Sequence, residues 1–273
     1  MVTDAQMAQY HDEGYFIADD LVAPDMFAEL REAAERVVER VRSGEVDVDT
    51  DRTKGGEPWS IGGLLAPAFG EPIFAEYLTS GPMMDMVHAF LGPELQMGFM
   101  SLFSSPRESD YGFGWHRDFG TKPRDGTEEV ELAILDAPIF RVKWQIALID
   151  DACLMLVPGS NRRYRTEHEL KVLLETKHDD IPGQKVMDLK AGQTIVWHGY
   201  TMHRGIMTKD VRRLSLAAGF FQYRENGPVD CKEIETKHHW MLAEDVKPNL
   251  PEVLHVPYDR WRRLQEVEAL TAD

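Results

Sequence analysis

A chain of 273 residues, 43% hydrophobic and 28% charged, has the composition of a globular protein able to build a substantial core as one domain. Its formal charge of −17 argues against nucleic acid, whose binding relies on basic stripes, and against anionic membrane surfaces. Cys153 and Cys231 are too few for a disulfide framework, no apolar run reaches a membrane span, and no basic-then-apolar leader opens the chain. The expectation is a cytoplasmic protein with a small-molecule partner and no stated oligomeric state.

In chain order, residues 3–13 read as a short amphipathic helix with Met7 and Tyr10 on one side, and GYFIADDLV as a strand entering a turn. Pro24 and Asp25 open a helix in which Phe27, Leu30, Ala34, Val37, Val38 and Val41 recur at helical spacing, stopped by Ser43-Gly44. Glycines and prolines make residues 44–72 read as one long loop, within which GGLLAPAFG is expected to cover a pocket. A second helix is expected over Pro72–Leu91.

From about Leu95 the texture changes to short runs of β-branched and aromatic residues between turn signals, among them FRVKWQIALID, CLMLVPGS and RRLSLAAGFFQYR. Residues 121–137 read as an acidic insertion, 166–176 as a short helix capped by Thr166, and YDRWRRLQEVEAL as a closing helix. One domain over 1–273 follows: a mostly helical flank (1–94), a β core (95–225) of sandwich or barrel type, and a C-terminal helical segment (226–273).

The segment YGFGWHRDFG sets His116 and Asp118 two apart, so on a strand both leave the same face. Such a pair is either an ordinary polar pair at a strand end or two cis ligands of a metal. Two histidines and one carboxylate would make the facial triad of non-haem Fe(II). The missing histidine is sought in AGQTIVWHGYTMHRG, which offers His198 and His203, with Arg204, Arg212 and Arg213 behind them. An arginine there is suited to the carboxylate of a bound co-substrate. His238-His239 is a weaker metal candidate, because adjacent side chains diverge. Arg162, Arg163 and Arg165 read as a solvated or salt-bridged loop.

WHRD (Trp115–Asp118), CLMLVPGSNRR (Cys153–Arg163), AGQTIVWHGYTMHRG (Ala191–Gly205) and RRLSLAAGF (Arg212–Phe220) together resemble the phytanoyl-CoA dioxygenase family of Fe(II)/2-oxoglutarate-dependent oxygenases. The resemblance implies a mainly β fold with flanking helices (α+β), a double-stranded β-helix or jelly roll of the cupin-like barrel type. It implies His116, Asp118 and His203 as catalytic metal ligands, with His203 preferred to His198 because the motif places the ligand before RG. It implies Arg213 as the 2-oxoglutarate arginine, since Ser215 and Phe220 fall at the family's offsets only from there, and Gln145 as a further co-substrate contact.

If Gln145 points inward, Lys143 and Arg141 share its face and suit an anionic substrate group; the bland alternative is a pair of cations reaching for the rim. Trp115 and Phe113 are expected at the substrate, the alternative being that aromatics near a strand end belong to the core. Asn161 stands where the family commonly has His, and Gly205 where some members have a hydroxyl. The implied activity is a dioxygenase using Fe(II), 2-oxoglutarate and O2 to hydroxylate or otherwise oxidise an unactivated C–H, with succinate and CO2 as co-products. Asp118 favours oxidation over halogenation, which replaces that carboxylate with a small residue. The alternatives are a metal-dependent cupin-type isomerase or hydrolase, which has no need of Arg213, and a non-catalytic metal-binding relative.

Overall fold

Thr3 starts the first helix, α1 (Asp4–Glu13): its hydroxyl accepts from the Gln6 amide while the Gln6 side chain accepts from the Thr3 amide. The computed structural model describes residues 2–118, 127–224 and 239–271. Strand β1 (Tyr15–Ala18) follows, then α2 (Pro24–Arg42), which buries Leu30, Ala33, Ala34, Val37, Val38 and Val41 as one apolar stripe.

The segment 44–72 is not one loop. It contains an antiparallel pair, β2 (Asp49–Arg52) and β3 (Pro58–Gly62), turned at residues 53–57. Alternation was masked there because Pro58–Gly62 is buried at every position. GGLLAPAFG does not line the cavity at His116 and His203 either: its first residues, 62–65, line a separate small cavity, and Leu64 and Phe69 are buried in the main core. The second helix divides into α3 (Ile73–Leu78) and α4 (Gly81–Leu91). Ser80 is extended (φ −61°, ψ 146°) and Pro82 lacks the amide proton that a continuous helix needs.

The remaining strands are β4 (Leu95–Ser104), β5 (Tyr111–His116), β6 (Arg141–Ala147), β7 (Leu154–Leu156), β8 (Lys185–Val186), β9 (Thr194–Trp197), β10 (His203–Met207) and β11 (Leu214–Gln222). Between them lie α5 (Glu128–Leu135) and α6 (Glu167–Leu174), the latter with the expected Thr166 capping box. A one-turn α7 (Val246–Asn249) and α8 (His255–Thr271) close the chain, α8 packing on β4. Among the described residues no helix is long and apolar enough to cross a membrane.

These strands form two sheets, β1-β9-β6-β11-β4-β3-β2 and β5-β10-β7-β8, in which every named pairing is antiparallel. From β4 to β11 the chain alternates between the sheets, except that β7 and β8 follow one another in the four-stranded sheet, which is the order of a double-stranded β-helix. The seven-stranded sheet turns Val142, Trp144 and Ile146 outward into the core shared with α2, α3 and α4, where Trp144 Nε1 donates to the Tyr77 hydroxyl (2.9 Å). Each such fully buried side chain stabilises by about 1.5–3 kcal/mol. The alternate residues, Lys143 and Gln145, therefore face the barrel interior, against the smaller cluster of Leu154, Ile195 and Trp197.

Candidate metal and co-substrate site

His116 ends β5 and His203 begins β10, and the antiparallel register sets the two directly opposite each other. Their ring centroids are 4.1 Å apart. Asp118 follows after one residue, held by its amide donating to Gly199 O (3.0 Å). One donor atom from each of the three lies within 4.8 Å of the others, the one such group of three among the described residues.

The tautomers suit a metal. His116 Nδ1 is 2.9 Å from Gly114 O and His203 Nδ1 is 2.8 Å from Thr201 O; a carbonyl only accepts, so both Nδ1 atoms carry the proton. Both Nε2 lone pairs face the site, 3.8 and 3.6 Å from Asp118 Oδ1, that of His203 accepting from Lys143 Nζ (2.9 Å). Burial pushes the His116 pKa down and that of His203 well below the usual imidazole range, so both rings stay neutral and able to ligate. Burial alone would raise the Asp118 carboxyl, but Lys143, His203 and Arg141 outweigh it and hold it ionised.

The turn before His203 is fixed from outside. Gly14 O accepts from the His198 amide (2.8 Å) and from the Thr201 hydroxyl (3.1 Å). Gly14 has φ +82°, and a Cβ there would stand 2.1 Å from Thr201 Oγ1, so glycine is required. His198 is no ligand: its Nδ1 accepts from the Tyr200 amide and its ring packs on Tyr10 and Tyr200. Asn161 is also away from the site, donating to His11 O at the end of α1.

Alternation along the ligand strand sends Trp115 and Arg117 the other way. Trp115 was expected at the substrate, but it is buried outside the barrel with Val172, Leu173 and Ile181, its indole N–H donating to Asp179 O and Arg204 lying 4.7 Å over its ring. Arg117 forms a buried network with Glu131 of α5, which also takes Arg165 (3.1 Å). The three loop arginines are all salt-bridged, as one of the two alternatives has it: Arg165 is buried on Glu131, Arg163 pairs on the surface side with Glu169, and Arg162 with Asp12. Phe113 lines the cavity, 46% exposed and edge-on to His116.

The triad opens into a cavity of about 260 Å³ that also contains Lys143, Gln145, Trp197, Gly205 and Arg213, with Trp59, Phe99, Phe103 and Phe113 as an aromatic wall. Arg213 points inward and Arg212 outward to Glu35, as alternation requires. Arg213 Nε donates to Asp151 Oδ2 (3.0 Å) and Ser215 Oγ (3.1 Å), and Nη2 to Gln145 Oε1 (3.2 Å). Nη1 lies 3.6 Å from where a Cβ on Gly205 would stand, so glycine leaves that side of the guanidinium uncovered. Asp151 additionally accepts from Ser215 (2.6 Å), Gln145 (3.0 Å) and the Cys153 amide (2.8 Å).

Asp151 was missed in the sequence, as were Trp59 and Trp197. The Asp150-Asp151 pair did carry a signal of the same kind as Arg212-Arg213, because one of two neighbours must face inward. The other, Asp150, is on the surface with Lys190. His239 is exposed, and His238, Cys231 and residues 121–126 of the acidic insertion lie outside the described residues.

Fold and site together define a jelly-roll protein with a two-histidine, one-carboxylate metal centre beside a buried arginine. The chain matches the model of the phytanoyl-CoA dioxygenase (PhyH) family over residues 10–214, and belongs to that family. It is 24% identical over 166 residues (60% of this chain) to the ectoine dioxygenase of Sphingopyxis alaskensis, a match spanning about half (52%) of that relative's length. The crystal structure of EctD from S. alaskensis with 2-oxoglutarate and 5-hydroxyectoine superposes with a TM-score of 0.65 at 22% identity, covering 93% of this chain and 86% of that one. AviO1 from Streptomyces viridochromogenes Tue57 gives 0.58 at 18% identity, covering 81% of this chain and 96% of that one. The epimerase SnoN from nogalamycin biosynthesis, in complex with Fe3+, alpha ketoglutarate and nogalamycin RO, gives 0.56 at 15% identity over 81% and 83%.

Proposed function

We propose that this protein is an Fe(II)- and 2-oxoglutarate-dependent dioxygenase that hydroxylates, or otherwise oxidises, an unactivated C–H of a small molecule. One observation carries the reading: a neutral-imidazole pair, with an ionised carboxylate against it, opens on a cavity that also holds a buried arginine, Arg213, which has one side uncovered. The donor set fits Fe(II), two nitrogens and one oxygen on one side of the ion with the other positions open toward the cavity. His116, Asp118 and His203 would hold it. When bound with 2-oxoglutarate, the iron supplies the oxidation, with O2 consumed and succinate and CO2 released.

The chain's own part is positioning. Arg213 receives the distal carboxylate of 2-oxoglutarate, and Asp151 and Ser215 fix the plane of its guanidinium from behind. Gln145, bonded to both Asp151 and Arg213, is set beside the same ligand. Trp59, Phe99, Phe103 and Phe113 exclude water from the reacting side. Asp118 supplies a carboxylate where halogenation needs an open halide position.

The test is succinate formation from 2-oxoglutarate by the Fe(II)-loaded protein, without added substrate, against an R213M control. Succinate lost in the control is the expected result. No succinate, together with tight Zn(II) binding, would instead favour a cupin-type isomerase or hydrolase.

A further inference from the structure

At the metal end of the cavity a buried lysine and a partly exposed arginine meet one carboxylate. Lys143 Nζ is 2.7 Å and Arg141 Nη2 2.9 Å from the same atom, Asp118 Oδ2. Among the described residues neither has a second acidic partner. The other inward or neighbouring arginines each have an acid: Arg213 has Asp151, and Arg204 has Asp180. Asp51 reaches the cavity from the far wall, beside Tyr111, and is itself engaged.

Among the described residues, Asp118 alone faces Arg141 and Lys143 at the metal end, a local excess of one positive charge, while Arg213 is matched by Asp151 and Asp51 stands on the far wall. A divalent metal and a dianionic dicarboxylate cancel, so the surplus survives their binding. A buried charge without its own counter-ion is costly unless a ligand completes it. Lys143 lines the cavity and Arg141 does not, so the group that a ligand can reach is the Lys143 ammonium. It stands 4.4 Å over the Trp197 ring, with the aromatic wall of Trp59, Phe103 and Phe113 sharing the same space. The site thus pairs one cation with an apolar surface, inside a volume fit only for a small molecule.

We propose that the substrate is a small apolar acid carrying one anionic group, of the carboxylate class, which pairs with Lys143 beside the metal while its carbon skeleton lies on the aromatic wall. Arg141 remains behind as the partner of Asp118. The surplus of a single charge favours a carboxylate over a phosphate dianion. The inference rests on the oxygenase reading for what happens to the acid, and on the charge and geometry for its recognition.

The test titrates the Zn(II)- and 2-oxoglutarate-loaded protein calorimetrically with benzoate, cyclohexanecarboxylate and valerate, and with the amide of each. The same compounds are scored for stimulation of succinate release by the Fe(II) form. Acids should bind at least about tenfold more tightly than their amides, as a charge-assisted hydrogen bond requires. That preference should collapse in K143M and persist in K143R, whose guanidinium keeps the charge.

Equal binding of acids and amides, binding of none of the acids, or an unchanged preference in K143M overturns the proposal. So does a K143M effect confined to 2-oxoglutarate, which would make Lys143 a co-substrate residue. If the acid preference and its loss in K143M are seen but the Fe(II) form releases no succinate, the oxygenase reading fails and the anion site stands.

Discussion

The two ends of the cavity solve the burial of charge in opposite ways. Around Arg213 the Nε and Nη2 donors both have partners, with Nη1 left on the Gly205 side: Asp151 balances the guanidinium and is in turn saturated by Ser215, Gln145 and the Cys153 amide. Around Asp118 two cations crowd one oxygen, and Lys143 also donates to His203 Nε2 (2.9 Å), an atom the metal needs. Burial, eased by Asp118 but aggravated by Arg141, pulls the Lys143 ammonium down to about 8. One end is a finished structural network that presents an arginine. The other carries charge that only ligands complete, which is what a reacting end requires.

Removing Asp118 should have the largest effect, because it destroys a ligand and strands both cations at once. D118A is expected to lose stoichiometric metal binding and to lower succinate formation by about a thousandfold. It should also unfold more easily by about 3–5 kcal/mol in denaturant titration, the cost of an uncompensated buried charge. At the balanced end D151N should cost about 3 kcal/mol, since Arg213 is left without its acid. There, saturating 2-oxoglutarate should recover part of the loss, which distinguishes this end from the first. R213M should raise the KM for 2-oxoglutarate by roughly ten- to a hundredfold while the Kd for Zn(II) stays unchanged.

Acid sharpens the contrast further. His116 and His203 are held neutral by burial, and His198 is pushed down to about 4. Below pH 6.5 the unfolded chain takes up protons on these rings that the fold refuses, so stability falls as pH drops from 6.5 toward 4. The loss should reach roughly 1–2 kcal/mol per fully buried ring by pH 5. Denaturant midpoints of the metal-free protein at pH 7.5 and 5 measure it. The smallest effect is expected for W115F, about 1 kcal/mol of stability with the acid-to-amide preference unaltered, because that indole packs outside the barrel.

The β texture after Leu95, the capped helix at Thr166, the stripe of α2 and the cluster of His116, Asp118 and His203 were all legible in the sequence, because each is written in local spacing or in a motif. Strand alternation put Lys143 and Gln145 on one face, and the family's motif offsets, with alternation in support, chose Arg213 over Arg212. The same alternation, applied to WHRD, would have turned Trp115 away from His116; proximity to the ligand hid that. Strands β2 and β3 were illegible because Pro58–Gly62 is buried on both faces, so no period shows.

By itself the sequence determined which side chains could meet a metal and which arginine could serve a co-substrate, since spacing and alternation are properties of the chain alone. Only the tertiary structure decided that Asp151 belongs to Arg213 and that Lys143 and Arg141 share one carboxylate. Those pairings join β6, the turn after it, the second residue after β5 and the residue before β11. The register of two sheets brings them together, and no local pattern encodes the charge balance of a cavity they build jointly.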